Sequence, residues 1–88
     1  MRGLQTPPLF IEQTMNITVK LFASFRTGRF GEQQRCCSER CTAAELLAEL
    51  AIAEAEVGVM LVNGKHIDSA QALSEGDTFS VFPLLGGG

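Results

Sequence analysis

No apolar run in this 88-residue sequence approaches the roughly 20 residues that a bilayer-spanning helix needs. The N-terminal stretch also lacks the apolar h-region of a signal peptide. Both absences point away from a membrane and toward a cytoplasmic location. Cysteine is scarce. Cys36, Cys37 and Cys41 form an odd set with no CxxC spacing, which suits neither a disulfide framework nor a zinc site. Cys36 and Cys37 are neighbours that would face opposite sides of a strand, so they are badly placed to share a metal. There is no phosphate-cradling GxxxxGK(S/T) run. The one histidine, His66, has no serine or cysteine nucleophile set beside it by any motif. The chain thus shows no catalytic constellation of its own, and neither a metal site nor a bound cofactor is expected. Positive charge is not in excess either. Lys and Arg total 7 against 10 Asp and Glu, a net charge of −3, which argues against nucleic acid as the main partner.

The charge that is present is unevenly spread. Residues 1–41 carry Arg2, Lys20, Arg26, Arg29, Arg35 and Arg40 against Glu12, Glu32 and Glu39. Residues 42–88 carry Lys65 alone against seven acids. Two solvated faces account for this. A docking polarity toward a charged partner is the sharper alternative.

A chain of this length makes one domain at most, with a modest core. Pro7-Pro8 and the lack of any period mark residues 1–14 as an N-terminal extension, expected to be disordered. The folded domain is expected over 15–85 and a flexible glycine tail over 86–88. From Asn16 to Ala23, Ile17, Val19 and Leu21 alternate with polar residues, which predicts a strand with its odd positions inward. Phe22 breaks that alternation and would stand on the outer face. Phe25 to Gly31 reads as a loop, and Glu32 to Ser38 as a second strand antiparallel to the first. Thr42-Ala43-Ala44-Glu45 is a capping box, and Ala43, Leu46, Leu47 and Leu50 lay out the buried stripe of a helix reaching about Ala53. Glu45 and Glu49 share a face of that helix. Without a cleft around them they read as a solvated face, not an acid–base pair. Gly58 to Val62 reads as a buried strand, Asn63-Gly64 as a type I′ hairpin turn and Lys65 to Ile67 as the return. Leu73 is a core anchor and Gly76-Asp77 a turn. Thr78 to Pro83 is the last strand, with Phe79 and Val81 inward and Phe82 outward. This order gives an α+β layer, a mixed sheet of four to five strands packed on one main helix. The first and last strands can lie side by side in mid-sheet, making Phe22 and Phe82 neighbours on the bare face.

The last strand empties into Gly86-Gly87-Gly88. Glycines in series neither pack a core nor hold a strand. They are expected to form a thin tail ending in a carboxylate, with the terminus itself as the working part.

In this order the features resemble the ubiquitin-like sulfur-carrier proteins of the MoaD/ThiS type, from Met15 to Gly88. The resemblance is carried by Val19-Lys20-Leu21-Phe22-Ala23-Ser24-Phe25-Arg26, the Thr42-capped helix with Glu45-Leu46-Leu47, Val62-Asn63-Gly64, Leu73 with Glu75-Gly76-Asp77, and the terminal Phe-Pro-x-x-x-Gly-Gly. It implies a β-grasp fold and a carrier protein, not an enzyme. It sets the family's glycine pair on Gly87-Gly88, makes Gly86 a spacer, and puts Leu84 where molybdopterin-synthase small subunits carry a second proline. By the same resemblance, an adenylating enzyme similar to ubiquitin-activating enzymes would use ATP to activate the Gly88 carboxylate, and a sulfur donor would convert it to a thiocarboxylate. Phe22, His66, Phe82 and Pro83 would form the patch that binds this enzyme and the large subunit of a molybdopterin synthase. His66 stands where members often carry an apolar residue. The long loop after the first strand favours synthesis of the molybdenum or tungsten cofactor. The alternatives are a thiamin-type sulfur carrier, a ubiquitin-like protein modifier and an inert interaction module.

Overall fold

The structure, a computed structural model, describes residues 14–84. The expected disorder of the N-terminal extension and the expected Gly86–Gly88 tail fall outside that span, except that Thr14 already belongs to the first strand. Strand β1 runs Thr14–Leu21, β2 Glu32–Ser38, β3 Val57–Val62, β4 Lys65–His66 and β5 Thr78–Pro83; helix α1 runs Ala43–Glu49. Short 3-10 turns occupy Ala23–Arg26 and Glu54–Glu56. No helix among the described residues is long and apolar enough to cross a membrane.

Period-two alternation does what it predicts in β1. Met15, Ile17, Val19 and Leu21 are buried, while the residues between them are exposed or half-buried. Phe79 and Val81 do the same in β5. The five strands form one sheet in the order β2-β1-β5-β3-β4. β5 lies between β1, to which it is parallel, and β3, to which it is antiparallel. Helix α1 covers one face with Ala43, Leu46 and Leu47. Burying such a leucine contributes roughly 1.5–3 kcal/mol, which is what fixes a seven-residue helix too short to be stable alone. Leu73, on the crossing segment, closes the core.

The capping box forms as the sequence requires. The Thr42 hydroxyl accepts from the Glu45 backbone N–H at 3.3 Å, and the Glu45 carboxylate accepts from the Thr42 N–H at 2.9 Å. The other end of the helix differs from expectation. It stops at Glu49 and does not reach Ala53. Ala51 turns left-handed, with φ 59°. The Ile52 N–H then donates to the Leu47 carbonyl at 2.9 Å, and the Ala51 N–H to that of Ala48 at 3.1 Å. This is a Schellman ending with alanine where glycine is usual, sealed by the burial of Leu47 and Ile52. The last turn contains no basic residue of its own. Arg29 supplies the missing cation from the loop after β1. Its Nε donates to the Leu50 carbonyl at 2.9 Å, its Nη2 to that of Ala51 at 3.1 Å and its Nη1 to that of Phe25 at 3.2 Å. One side chain therefore satisfies orphan carbonyls of the helix and ties the loop to them.

The first strand begins two residues earlier than the alternation suggests and ends at Leu21, because Ala23 (φ 54°) turns the chain into the 3-10 segment that carries Phe25 into the core. Asn63 and Gly64 both have positive φ, 51° and 84°, as a type I′ turn demands. Asn63 is more than a permissive residue there. Its side chain accepts from the Thr78 N–H and donates to Asp77, each at 2.9 Å, which ties the hairpin to the start of β5.

Cys36 is exposed on β2, whereas Cys37 and Cys41 are buried free thiols, and the Cys41 thiol donates to the Thr42 carbonyl at 3.5 Å. Burial pushes the Cys37 thiol up, and pushes Cys41 up from 9.0 to about 12, with the neighbouring Cys37 thiol adding to the shift. In the unfolded chain both return to ordinary values, so the folded state holds these protons more tightly. Their contribution to stability is complete below pH 9 and is lost as pH rises from there toward 12. Equilibrium unfolding in urea should therefore show a loss on the order of 1–3 kcal/mol across that window. The loss should shrink in Cys41→Ala. At neutral pH, Ala51→Gly should raise the unfolding free energy by about 0.5–1 kcal/mol, because glycine relieves the left-handed strain without disturbing the Arg29 bonds.

Candidate functional site

The parallel β1–β5 ladder decides what stands on the face opposite α1. Leu21 is in register with Val81, and the Phe22 N–H donates to the Val81 carbonyl at 3.3 Å. The next residue of each chain, Phe22 and Phe82, therefore meets the other on the bare face. Their rings stack with centroids 4.1 Å apart and planes within 11°. The two phenylalanines expected as exposed neighbours are thus half-buried against one another. Across the β5–β3 ladder, Phe82 lies opposite Val59, and Ser80 opposite Leu61; Leu61 in turn lies opposite His66 of β4. Val59, Leu61 and His66 join Phe82, Gly58, Pro83 and Leu84 in lining an open, largely apolar groove of about 520 Å³.

The candidate residues are therefore brought together unequally. Phe22 and Phe82 form the stack and His66 is an exposed rim group on β4. Pro83 is buried, opposite Val57, and contributes to the groove from below. Gly86, Gly87 and Gly88 lie outside the described residues. Leu84, the last described residue, is 62% exposed at the end of the groove. It is the only large apolar residue this exposed among those described. A second cavity of about 530 Å³ flanks the same exit from the other side, lined by Phe25, Arg29, Glu56, Pro83 and Leu84 among others.

Val59, Leu61, Leu84 and Arg29 are site residues that reading the sequence did not single out. The first two carry a signal, since odd positions in Gly58 to Val62 would share one face. Leu84 carries none beyond being apolar, and Arg29 gains its place only from the end of a helix distant in sequence. Chemically the arrangement holds no nucleophile, acid–base pair or phosphate cradle. It offers an apolar docking face alongside the strand that leads to the C-terminal glycines. The stack should couple its members: a double-mutant cycle on Phe22→Ala and Phe82→Ala, read by urea unfolding, should give an interaction of about 0.5–1.5 kcal/mol.

Comparison with known proteins agrees with this geometry. A solution structure of a Haloferax volcanii protein superposes with a TM-score of 0.71 at 28% identity, with 100% of both chains covered. A Pyrococcus furiosus protein described as molybdopterin converting factor, subunit 1, superposes with a TM-score of 0.64 at 28% identity, covering 78% of this chain and 97% of that one. In the Helicobacter pylori complex of subunits 1 and 2 of molybdopterin-converting factor, the matched chain gives a TM-score of 0.54 at 23% identity, covering 84% of this chain and 100% of that one. That last likeness speaks to the fold. Curated protein sequences yield no match. The model of the ThiS family matches residues 19–88. With its mixed sheet on one helix and its apolar face beside the last strand, this chain is a β-grasp protein and belongs to the ThiS family of MoaD/ThiS-type carriers.

Proposed function

We propose that this chain is a sulfur carrier whose Gly88 carboxylate is adenylated and then converted to a thiocarboxylate that donates sulfur in molybdenum- or tungsten-cofactor synthesis. The observation that carries this reading is the placement of β5. The strand that runs toward the glycine tail is held centrally between two others, with an apolar face beside its end. Membership of the ThiS family supports the carrier role, and the 28% identical Pyrococcus furiosus protein favours the molybdopterin branch over thiazole synthesis.

A carboxylate is a poor electrophile, so sulfur cannot displace its oxygen directly. In the first step a Gly88 carboxylate oxygen attacks the α-phosphorus of ATP, and pyrophosphate leaves. In the second a hydrosulfide equivalent attacks the acyl carbon and expels AMP with loss of a proton, leaving the thiocarboxylate. This chain contributes the acyl group and the docking surface, and a partner adenylating enzyme supplies the ATP site. The Phe22–Phe82 face, with His66 at its rim, serves that enzyme and then the large subunit of a synthase, in the cytoplasm. Glycine at 87 and 88 suits a passage too narrow for a Cβ.

The test is intact-mass spectrometry after incubation with the cognate activating enzyme, ATP and a sulfide donor. The expected product is heavier by the replacement of one oxygen with sulfur. Deleting Gly88, or placing phenylalanine at Gly87, should abolish it. Covalent ladders on other proteins in place of that product would identify a protein modifier, and absence of any adenylate would overturn both readings.

A further inference from the structure

We propose that Gly58 and the backbone carbonyl of Glu56 form a collar that fixes where the chain leaves the sheet at Leu84. Through that position the collar sets the rate, and not the affinity, of carboxylate activation. The inference rests on the sulfur-carrier reading and adds positioning residues to it.

The β3–β5 ladder is irregular at this point. Val57 is opposite Pro83 and Val59 is opposite Phe82, so Gly58 is an extra residue in β3. Its backbone is not left-handed, unlike Gly28, Gly64 and Gly76, so a turn does not explain why glycine is here. Proximity does. A Cβ on Gly58 would lie 2.8 Å from the Pro83 carbonyl oxygen, 3.1 Å from the Pro83 carbonyl carbon and 3.2 Å from Leu84 Cα. All three are backbone atoms, and none can swing aside as a side chain would. β3 and the end of β5 thus approach more closely than any residue with a side chain permits.

The second half of the collar comes from the turn before β3. The 3-10 segment Glu54–Glu56 presents the Glu56 carbonyl to the Leu84 N–H, which donates to it at 2.9 Å. β1 has already let go of β5 by this point, since their register ends at Leu21 and Val81. Beyond that point the ladder to β3 and the Glu56 carbonyl are the backbone bonds and close contacts that carry order through Pro83 to Leu84. Gly88 follows Leu84 by four residues, so its carboxylate lies at most about 14 Å farther along the chain. Once a partner's passage draws that tail straight, the place of Leu84 sets how far the reacting group reaches. Misplacing a reacting group by 1 Å can cost about 100-fold in rate. The apolar face stands on separate side chains, Phe22, Phe82, Val59 and Leu61, and does not need the collar in order to dock.

The experiment is ATP–pyrophosphate exchange by the cognate activating enzyme, with the wild-type chain and Gly58→Ala as varied substrates. Circular dichroism establishes the folded fraction at the assay temperature. The expected result is a kcat lowered at least about tenfold with KM within about twofold of wild type, a split that simple loss of folded protein would not give. Unchanged kinetics, or a raised KM with kcat intact, would overturn the collar. Amide hydrogen exchange on the wild-type chain is the second measurement, and does not depend on how the variant folds. The Leu84 amide should be protected, and exchange at the rate of an open peptide would sink the proposal. If the wild-type chain supports no exchange of pyrophosphate, it is the sulfur-carrier reading that fails. The Leu84 measurement still judges the collar as structure.

Discussion

The central position of β5 is the constraint on which the rest of this molecule depends. β1 and β5 are parallel, so they cannot be joined by a hairpin, and all the intervening chain must pass around the sheet to bring β5 into place. That detour carries the helix, which covers one face, and the β3–β4 hairpin, which supplies β5 with its second neighbour. β5 therefore has a ladder on each side, and its inward residues, Phe79 and Val81, are fully buried. The last strand is the most constrained in the sheet.

The same parallel register creates the apolar face. Because Leu21 and Val81 are level, the residues after them are level too, and Phe22 stacks on Phe82. The stack resolves a conflict. An open apolar face is a liability in a free protein, and each ring here hides part of the other. Val59 and Leu61 extend the face across β3, and His66 ends it with a polar group. Binding to such a face needs little rearrangement of the body, because the rings are already held by the backbone that carries them.

Much of this was legible in the sequence because the signals are local. Alternation in β1 and β5, the Thr42–Glu45 capping box, the Asn63-Gly64 turn and the helix stripe each lie within a few residues of the structure they specify. From those elements the side-by-side placement of β1 and β5 followed, and with it the meeting of Phe22 and Phe82. What stayed hidden is non-local. The helix ends at Glu49 because Ala51 accepts a left-handed conformation that favours glycine, and because Arg29 caps it from a loop twenty residues earlier in the chain. Neither cause can be seen by reading the helix. Gly58 looked like the ordinary first residue of a strand. Its significance appears only when the Pro83 backbone is placed against it. The burial of Pro83 was hidden for the same reason.

These hidden features share a purpose in the fold. Arg29 joins the loop after β1 to the end of α1, and it lines the cavity on one side of Pro83 and Leu84. The Glu56 carbonyl holds Leu84 from the turn that follows α1, and Gly58 admits Pro83 from β3. Two stretches distant in sequence, the loop after β1 and the turn leading into β3, therefore converge on the two residues where β5 ends. In the proposed sulfur-carrier reading, a partner supplies the catalytic groups and this chain acts through where it presents its reacting atom. On that reading its contribution to rate is preorganisation. In that light the non-local contacts around Pro83 and Leu84 are to this protein what a positioned side chain is to an enzyme. Their backbone character explains why no residue-type motif announces them.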